Sequence, residues 1–253
     1  MLILLPPSEG KRGGGDPTHA LHLESLAFPE LTGVRRELLA ELVSLCQDDD
    51  RAVRTLALGP RQHGDVLANR LVEESPTLPA IQRYTGVVYD GLDYATLSPA
   101  AVERLRDRVI IQSALFGPIR AFDPIPYYRM SAGSRVGDAR LRRRFAQAAG
   151  RALVDTGELL VDARSRAYMA CAPLPEGAPA VHVEFVIRSA DGGLRPAGHH
   201  NKRLKGLLVR ALLNTPMAGP DDLSAAADAV GAEFTWIDRT EAAVVAESTV
   251  FGV

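Results

Sequence analysis

The 253-residue sequence has only two cysteines, Cys46 and Cys171, and a single tryptophan. Two cysteines cannot build a disulfide framework, which excludes the small secreted proteins that depend on several disulfides. No apolar run is long enough to cross a membrane, and the short first run, MLILL, lacks the basic start of a secretory signal. We therefore expect a cytoplasmic protein that makes no membrane contact.

The sequence also lacks an excess of charge of either sign. Its 29 Lys and Arg residues are balanced by 31 Asp and Glu residues, which gives a net charge of −2. Without a positive field over the whole molecule, nucleic-acid binding must come from a local basic cluster. The composition, 46% hydrophobic and 24% charged, is typical of a globular protein. Because no low-complexity linker or internal repeat divides the chain, we predict one domain over residues 1–253.

The predicted helices and strands follow one another in a mixed order. Strands are predicted at 2–5, 109–111, 158–161, 181–188, 232–237 and 242–250, and helices at about 31–46, 62–74, 98–108, 138–155 and 201–213, with one more helix before residue 232. Asp191–Gly193 is predicted as a hairpin turn. Because regular βαβ repetition is absent, the order favours an α+β fold, a mixed β-sheet with surrounding helices, over a Rossmann fold.

The segment Val109–Arg129 begins as a buried strand and continues as a polar loop. Polar and cationic groups on a loop at the end of a buried strand commonly form a site in α/β proteins. The candidates in this loop are Ser113, Arg120, Tyr128 and Arg129. In the alternative, Arg120 and Asp123 form a surface ion pair and the tyrosines pack in the core.

Two more polar segments follow predicted strands. The first, PPSEGK at 6–11, leaves the first strand and supplies Ser8, Glu9 and Lys11. The glycines that come next resemble a phosphate-binding loop, but the Walker spacing and a following helix are both absent. The second, DARSRAY at 162–168, supplies Arg164 and Ser165.

A fourth polar segment, HHNKRLKG at 199–206, stands at the start of the predicted helix 201–213. Lys202, Lys205 and Arg210 fall on about one face of that helix. A basic helix face is often merely solvated. Here the face begins beside His199 and Asn201 at a helix start, where backbone N–H groups can hold an anion.

Five segments occur in the order LLPPSEGK, YTGVVYDGL, SALFGPIRAFDPIPYYR, VDARSRAY and HHNKRLKGLLVRALL. By itself, YTGVVYDGL is predicted as a tight turn packed by Tyr89. Together, the five segments resemble the YaaA family (UPF0246, DUF328) of peroxide stress proteins over nearly the whole chain, and they are most similar to its actinobacterial branch. The chain departs from the family pattern at Phe116, Ala121 and His200.

The resemblance implies protection from hydrogen peroxide by limiting the damage that free iron causes. It also implies DNA binding by a fold with a helix-hairpin-helix-like element and a positively charged cleft. The matching stretch is Leu56–Gly64, a Gly-Pro turn that would present N–H groups to phosphate; an ordinary helix–helix turn is the alternative. Because phosphate contacts alone would supply the affinity, we expect DNA binding to be weak, sequence-independent and salt-dependent.

A second hypothesis is a small-molecule enzyme that acts on a nucleotide-like or carboxylate substrate in the same cleft. The catalytic candidates are Ser8, Glu9, Lys11, Ser113, Tyr128 and Lys202. The anion-binding candidates are Lys11, Arg120, Arg129, Arg164, Ser165, His199, Asn201, Lys202, Lys205 and Arg210. We expect the following residues to share one cavity: Ser8, Lys11, Ser113, Arg129, Arg164, Ser165, Asn201 and Lys202. No nucleophile elbow, GxSxG, identifies a reaction.

Metal binding is a third hypothesis, and the sequence gives it little support. The candidate ligands are His19 and His22 with Glu24, or His199 with His200. Neither group has the spacing of a closed metal site. We therefore predict no metal and no cofactor.

Overall fold

A mixed β-sheet forms the centre of the computed structural model, which describes residues 1–137, 139–188, 193–196 and 198–247. At residues 139–142, 147, 196, 198–200 and 247 the description covers the backbone alone. The strands are β1 (Leu2–Leu5), β2 (Thr77–Pro79), β3 (Val109–Ser113), β4 (Gly117–Arg120), β5 (Pro124–Pro126), β6 (Arg135–Val136), β7 (Ala139–Arg140), β8 (Leu160–Asp162), β9 (Ala180–Arg188), β10 (Leu194–Pro196), β11 (Ala232–Trp236) and β12 (Glu241–Glu247). The helices are α1 (Thr32–Leu45), α2 (Asp49–Leu56), α3 (Asp65–Arg70), α4 (Ala80–Arg83), α5 (Val87–Leu92), α6 (Pro99–Arg108), α7 (Leu141–Val154), α8 (Arg166–Met169), α9 (Gly198–Leu212) and α10 (Asp221–Ala229).

Eight strands form this sheet, in the order β11-β12-β9-β8-β1-β3-β4 with β10 beside β9. Strands β12, β9, β8, β1 and β3 run parallel, whereas β4, β10 and β11 are antiparallel to their neighbours. All residues of β1 and β3 are buried, as expected for parallel strands that are covered on both faces. The predicted α+β fold with a mixed sheet is confirmed.

Strand β1 lies where the direction of the strand order reverses. The chain passes from β1 to its neighbour β3 on one side and later returns to β8 on the other side. In open α/β sheets, ligands bind at such a point, in the crevice outside the carboxyl ends of the strands. The loops that leave β1 and β8 therefore mark the expected position of a site.

The longer helices agree with the periodicity of the sequence. Helix α6 begins as predicted, because Ser98 Oγ accepts a hydrogen bond from the backbone N of Ala101 at 3.2 Å and Pro99 occupies the first position. Of the helices in the described part of the chain, none has the length and apolar character needed to cross a membrane.

Other local predictions were wrong. The predicted helix 62–74 is the short α3, which follows a 3₁₀ turn at Pro60–Gln62. Helix α2 was not predicted; Asp48 caps it by accepting a hydrogen bond from Arg51 N at 3.0 Å. The segment predicted as a tight turn around Tyr89 contains α5 instead. Strand β4 forms within the stretch predicted as a loop.

Several predicted boundaries also moved. Helix α9 begins at Gly198, three residues before the predicted start. Helix α7, predicted from Asp138, begins at Leu141, and Asp138 itself lies outside the described residues. Asp191 and Gly192 of the predicted hairpin turn, and residues 248–250 of the last predicted strand, also lie outside the described residues.

Helices α5 and α9 approach closely through a pair of glycines. A Cβ atom on Gly206 would overlap the carbonyl oxygen of Val88 and lie 2.8 Å from the N of Leu92. A Cβ atom on Gly91 would lie 2.7 Å from the O of Arg203. Only glycine leaves room for two helix backbones at this distance. The contact fixes the start of α5 relative to the first turns of α9.

Candidate ligand-binding cleft

A cavity of about 980 Å³ opens at the carboxyl ends of β1 and β8, and we call it the cleft. Its walls come from the loops after β1 and β8, the start of α5, the first turns of α9 and part of β9. The predicted site residues that line it are Ser8, Glu9, Arg164, Ser165, Asn201, Lys202 and Lys205. Polar segments that are far apart in the sequence therefore meet at the crevice that the strand order predicts.

A second group of predicted residues lies behind the wall of the cleft: Lys11, Ser113, Tyr128 and Arg129. Lys11 Nζ donates a hydrogen bond to the O of Ser8 at 3.1 Å. Arg129 Nη1 donates to the O of Glu9 at 2.8 Å, and its Nη2 lies 3.1 Å from Glu9 Oε2. Both cations thus hold the backbone of the loop that leaves β1.

Three buried hydroxyl groups form a cluster next to this loop. The hydroxyl of Tyr128 lies 2.9 Å from that of Tyr84 and 2.9 Å from Oγ of Ser113. Ser113 Oγ also accepts a hydrogen bond from Phe116 N at 3.0 Å. Burial raises the pKa of Tyr128 and raises that of Tyr84 well above the usual range. Both phenols therefore stay neutral at physiological pH.

The amine of Lys11 lies over the faces of these two tyrosines. Its Nζ is 4.3 Å from the ring centroid of Tyr128 and 5.3 Å from that of Tyr84. Burial, helped by the positive charge of Arg129, lowers the pKa of Lys11 to about 7. Lys11 therefore gives up its proton more readily than an ordinary lysine does.

Lys205 is the more enclosed of the two lysines that line the cleft. Its side chain is 6% exposed, and its Nζ lies 5.1 Å from the ring centroid of Phe185. Within the described residues the ammonium has no hydrogen-bond partner. Burial lowers the pKa of Lys205 to about 8, while the carboxylate of Asp162 opposes this shift and Lys202 adds to it. Lys205 is thus mostly charged at pH 7 and lacks a bound acceptor.

Arg164 lines the cleft, but its side chain donates its hydrogen bonds to groups inside the protein. Its Nε and Nη2 donate to the two carboxylate oxygens of Asp162 at 2.9 and 2.7 Å. Its Nη1 donates to Gln112 Oε1 at 3.2 Å and to the O of Ala172 at 3.0 Å. Arg164 is 2% exposed and Asp162 is 1% exposed. This buried, paired guanidinium holds the loop after β8 in place.

Two of the predicted cations do not reach the cleft. Arg120 is paired with Ile110 near the amino end of β3, at the opposite edge of the sheet, where it donates to the O of Asp107. Arg210 donates to the carbonyl oxygens of Leu92 and Asp93 at 3.0 and 2.9 Å and so closes the end of α5. Neither residue contributes to the cavity that holds Lys205.

The histidines considered as metal ligands have other surroundings or lie outside the description. His19 Nδ1 lies 2.7 Å from Asp16 Oδ2, and Glu24 pairs with Arg36. The side chains of His199 and His200 lie outside the described residues. Among the side chains that are described, His, Cys, Asp and Glu form no group of three that would hold a metal ion.

The sequence reasoning missed the contribution of β9 to the cleft. His182 lines the cavity, and its Nδ1 lies 3.1 Å from the carbonyl oxygen of Asp162. A carbonyl oxygen only accepts hydrogen bonds, so Nδ1 carries the proton. Glu184 also lines the cavity and accepts a hydrogen bond from Arg166 Nη2 at 2.8 Å. The alternation in VHVEFVIR places these two polar residues on one face of the strand, and it is the signal from which they could have been found.

Comparison with known proteins places the chain in a family. The model of the family described as "Peroxide stress protein YaaA" matches residues 1–235 of the chain. The chain belongs to the YaaA peroxide stress protein family. The YaaA match includes every residue that lines the cleft.

Curated relatives carry the family name UPF0246 protein. One from Corynebacterium efficiens is 42% identical over 221 residues, which cover 85% of this chain and 86% of the relative. One from Corynebacterium glutamicum is 40% identical over 238 residues, or 91% and 93% of the two chains. One from Streptomyces coelicolor is 38% identical over 241 residues, or 92% and 91%. These relatives agree with the resemblance drawn from the five sequence segments.

Proposed function

We propose that this YaaA family member binds a small anionic ligand in the cleft as part of its role in peroxide stress. The observation that carries the proposal is the buried Lys205 ammonium, which faces the cavity without an acceptor in the described part of the protein. A largely buried cation without a hydrogen-bond acceptor is costly, because no hydrogen bond replaces the hydration that it loses. An anion in the cleft removes that cost.

The other charges near Lys205 support an anionic ligand. The carboxylate of Asp162 is already engaged by Arg164 through two hydrogen bonds. Lys202 lines the same cavity and adds a second positive charge. Both lysines stand on α9, a helix of 15 residues whose first turns reach the cleft. The positive end of the helix dipole adds to the attraction.

The size and lining of the cleft favour a small organic anion over a DNA duplex. A volume of about 980 Å³ is within the range of cavities that hold small ligands. Apolar groups, including Val87, Tyr168 and Phe185, form part of its wall. A nucleotide-like or carboxylate compound would place its apolar part there and its charge at Lys205.

DNA remains a second candidate ligand, and the turn between α2 and α3 is the feature that favours it. Gly59 and Pro60 begin this turn, and Gln62 Oε1 accepts a hydrogen bond from Gly59 N at 3.0 Å. Arg61 and His63 are exposed there. Contacts of this kind reach phosphates and not bases, so the expected DNA affinity falls steeply with salt. A duplex affinity that is unchanged between low and high salt contradicts this candidate.

The alternative form of the proposal is that the protein is an enzyme and converts the anion that it binds in the cleft. Ser165 and His182 line the cleft beside the cationic residues and provide a hydroxyl and an imidazole. NMR spectra distinguish binding alone from conversion when they are recorded over hours on a mixture of the protein with AMP or with a carboxylate compound. New resonances that require the folded protein indicate an enzyme.

The anion proposal is tested with inorganic phosphate and AMP as probes in isothermal titration calorimetry. Lys205→Met keeps the length of the side chain and removes its charge, so we expect at least tenfold weaker binding of both probes. The matched control is Arg106→Met, which removes one exposed positive charge that is paired with Glu103 away from the cleft. Equal affinities of wild type and Lys205→Met refute the proposal.

The link to peroxide stress is tested in cells. A strain that lacks the gene is complemented with wild type, Lys205→Met or Arg106→Met and exposed to hydrogen peroxide. We expect Lys205→Met to lose protection and Arg106→Met to keep it. Measuring free iron in the same cultures tests whether protection acts by limiting iron-dependent damage, as the family resemblance implies.

A further inference from the structure

The central sheet has an opening beside β9, and the cleft lies against it. Strand β8 pairs with β9 only as far as His182, and β10 pairs with the same side of β9 from Val186 onward. Between these two points, no described strand borders residues 183–185 of β9 on that side. Residues from both faces of β9 therefore line one cavity: His182 and Glu184 from one face, and Phe185 from the other.

Two walls of the cleft differ in hydrogen-bonding character. Helix α9 contributes the amines of Lys202 and Lys205, which donate hydrogen bonds and carry positive charge. Strand β9 contributes acceptors, the imidazole of His182 and the carboxylate of Glu184. The two walls are adjacent, because Lys205 Nζ lies 5.1 Å from the ring centroid of Phe185 on β9. A ligand that fills the cleft therefore meets cations on one side and acceptors on the other.

His182 is held so that its second ring nitrogen is an acceptor. Its Nδ1–H donates to the carbonyl oxygen of Asp162 at 3.1 Å, so Nε2 of the neutral ring carries a lone pair. The described residues offer Nε2 no hydrogen-bond donor. The donor for Nε2 must therefore come from water or from a ligand.

Glu184 also has acceptor capacity to spare. Its Oε1 accepts a hydrogen bond from Nη2 of Arg166 at 2.8 Å, and the side chain of that arginine is almost fully exposed. A carboxylate offers about four lone-pair positions, so Glu184 can accept further hydrogen bonds. Residues two apart in a strand lie about 7 Å from each other on one face. Two hydroxyl groups of one small ligand can therefore reach His182 and Glu184 together.

We infer that the cleft selects a phosphate ester that also carries hydroxyl groups, such as a polyol or sugar phosphate. The two lysines of α9 suit the double charge of a phosphate, and the hydroxyl groups donate to His182 Nε2 and to Glu184. An alkyl phosphate without hydroxyl groups would cover both acceptors with carbon and deprive them of water. The inference rests on the proposed anion binding and adds the chemical class of the ligand.

The experiment compares glycerol 3-phosphate with propyl phosphate in titration calorimetry of the full-length protein. The two probes share the phosphate group and the length of the carbon chain, and they differ in the hydroxyl groups. Two ordinary hydrogen bonds change an affinity by about tenfold, so we expect wild type to bind glycerol 3-phosphate about tenfold more tightly. Equal binding of both probes overturns the inference and leaves the proposed anion site intact.

His182→Asn and His182→Gln are a matched pair of variants. The shorter Asn amide can still donate to the O of Asp162 but leaves no acceptor at the position of Nε2, whereas the longer Gln brings an amide oxygen there. We expect the preference for glycerol 3-phosphate to fall to about threefold in His182→Asn and to stay near tenfold in His182→Gln. An unchanged preference in His182→Asn, or an equal loss in both variants, contradicts the role of the Nε2 acceptor.

A measurement without phosphate separates this inference from the anion proposal. NMR of the ¹⁵N-labelled imidazole follows His182 while ribose, an uncharged polyol, is added, and the signal is assigned by its loss in His182→Asn. We expect the Nε2 resonance to shift more than the Nδ1 resonance. If neither phosphate binds, the anion proposal fails, and a shift of Nε2 with ribose still supports the hydroxyl site. An Nε2 resonance that ribose does not move overturns the inference in either case.

Discussion

The contact between α5 and α9 allows a prediction of defined size. Gly206→Ala adds one methyl group to α9, and that methyl meets backbone instead of a movable side chain. It would overlap the O of Val88 and lie 2.8 Å from the N of Leu92 and 3.0 Å from the C of Gly91. A normal contact between carbon and oxygen is at least about 3.3 Å. The two helices must therefore move apart.

The free energy of unfolding is expected to fall by about 2 kcal/mol in this variant. Overpacking that forces a backbone shift costs about 1–3 kcal/mol or more, and the rigid wall places Gly206→Ala at the upper end. The better helix propensity of alanine returns about 1 kcal/mol. For a protein of this size, the net loss lowers the Tm by roughly 4–8 °C.

The variant is also expected to bind phosphate more weakly, because α5 and α9 both line the cleft. Differential scanning calorimetry and titration calorimetry measure the two effects. Gly33→Ala is the matched control: this glycine lies in α1, and its Cβ would meet nothing within 4 Å. Its Tm should be equal to or above that of wild type. A Gly206→Ala protein with unchanged Tm and unchanged phosphate affinity refutes the packing argument.

Three further predictions concern the cleft and its supports. Arg164→Met leaves the carboxylate of Asp162 buried without its partner, so urea unfolding should show a loss of about 3–5 kcal/mol; a loss below 1 kcal/mol contradicts the structural role. Sulfate, which stays doubly charged, should bind more weakly as the pH rises through about 8, since Lys205 loses its proton there; a flat profile from pH 7 to 9 excludes Lys205 as the anion ligand. Tyr128→Phe removes the hydroxyl shared by Tyr84 and Ser113, so chemical denaturation should show a loss of about 1–3 kcal/mol, and unchanged stability means that the cluster is not a support.

The sequence predicted the central elements of the fold well, because their patterns are local. The apolar run of β1 and the Ser98-Pro99 start of α6 each suffice to define an element. Helix α5 could not be recognised in the same way. Its sequence, VVYDGL, is short and contains Gly91. A glycine is needed there because α5 packs closely against Gly206 on α9. A close contact between two helices that are far apart in the sequence leaves no periodic pattern in the sequence of either helix.

Part of the candidate site could also be predicted from the sequence. Segments that leave parallel strands share one edge of the sheet, so Ser8 and Ser165 could be placed together from the sequence alone. Arg120 was misplaced because the antiparallel return of β4 carries it to the opposite edge. The partner of Arg164 is only two residues away, yet the pairing with Asp162 depends on burial that no local pattern reveals.

The position of β1 in the sheet has a consequence for synthesis of the protein. Ile3 pairs with Val109 on one side and with Val161 on the other, so neither neighbour exists when β1 leaves the ribosome. At about 5–20 residues per second, translation from Ile3 to Val161 takes roughly 8–30 s. During that time the apolar strand LILL has no partner on at least one side and is open to chaperones or aggregation. The nascent chain therefore acquires its cleft late, when β8 and then α9 have joined a strand made long before them.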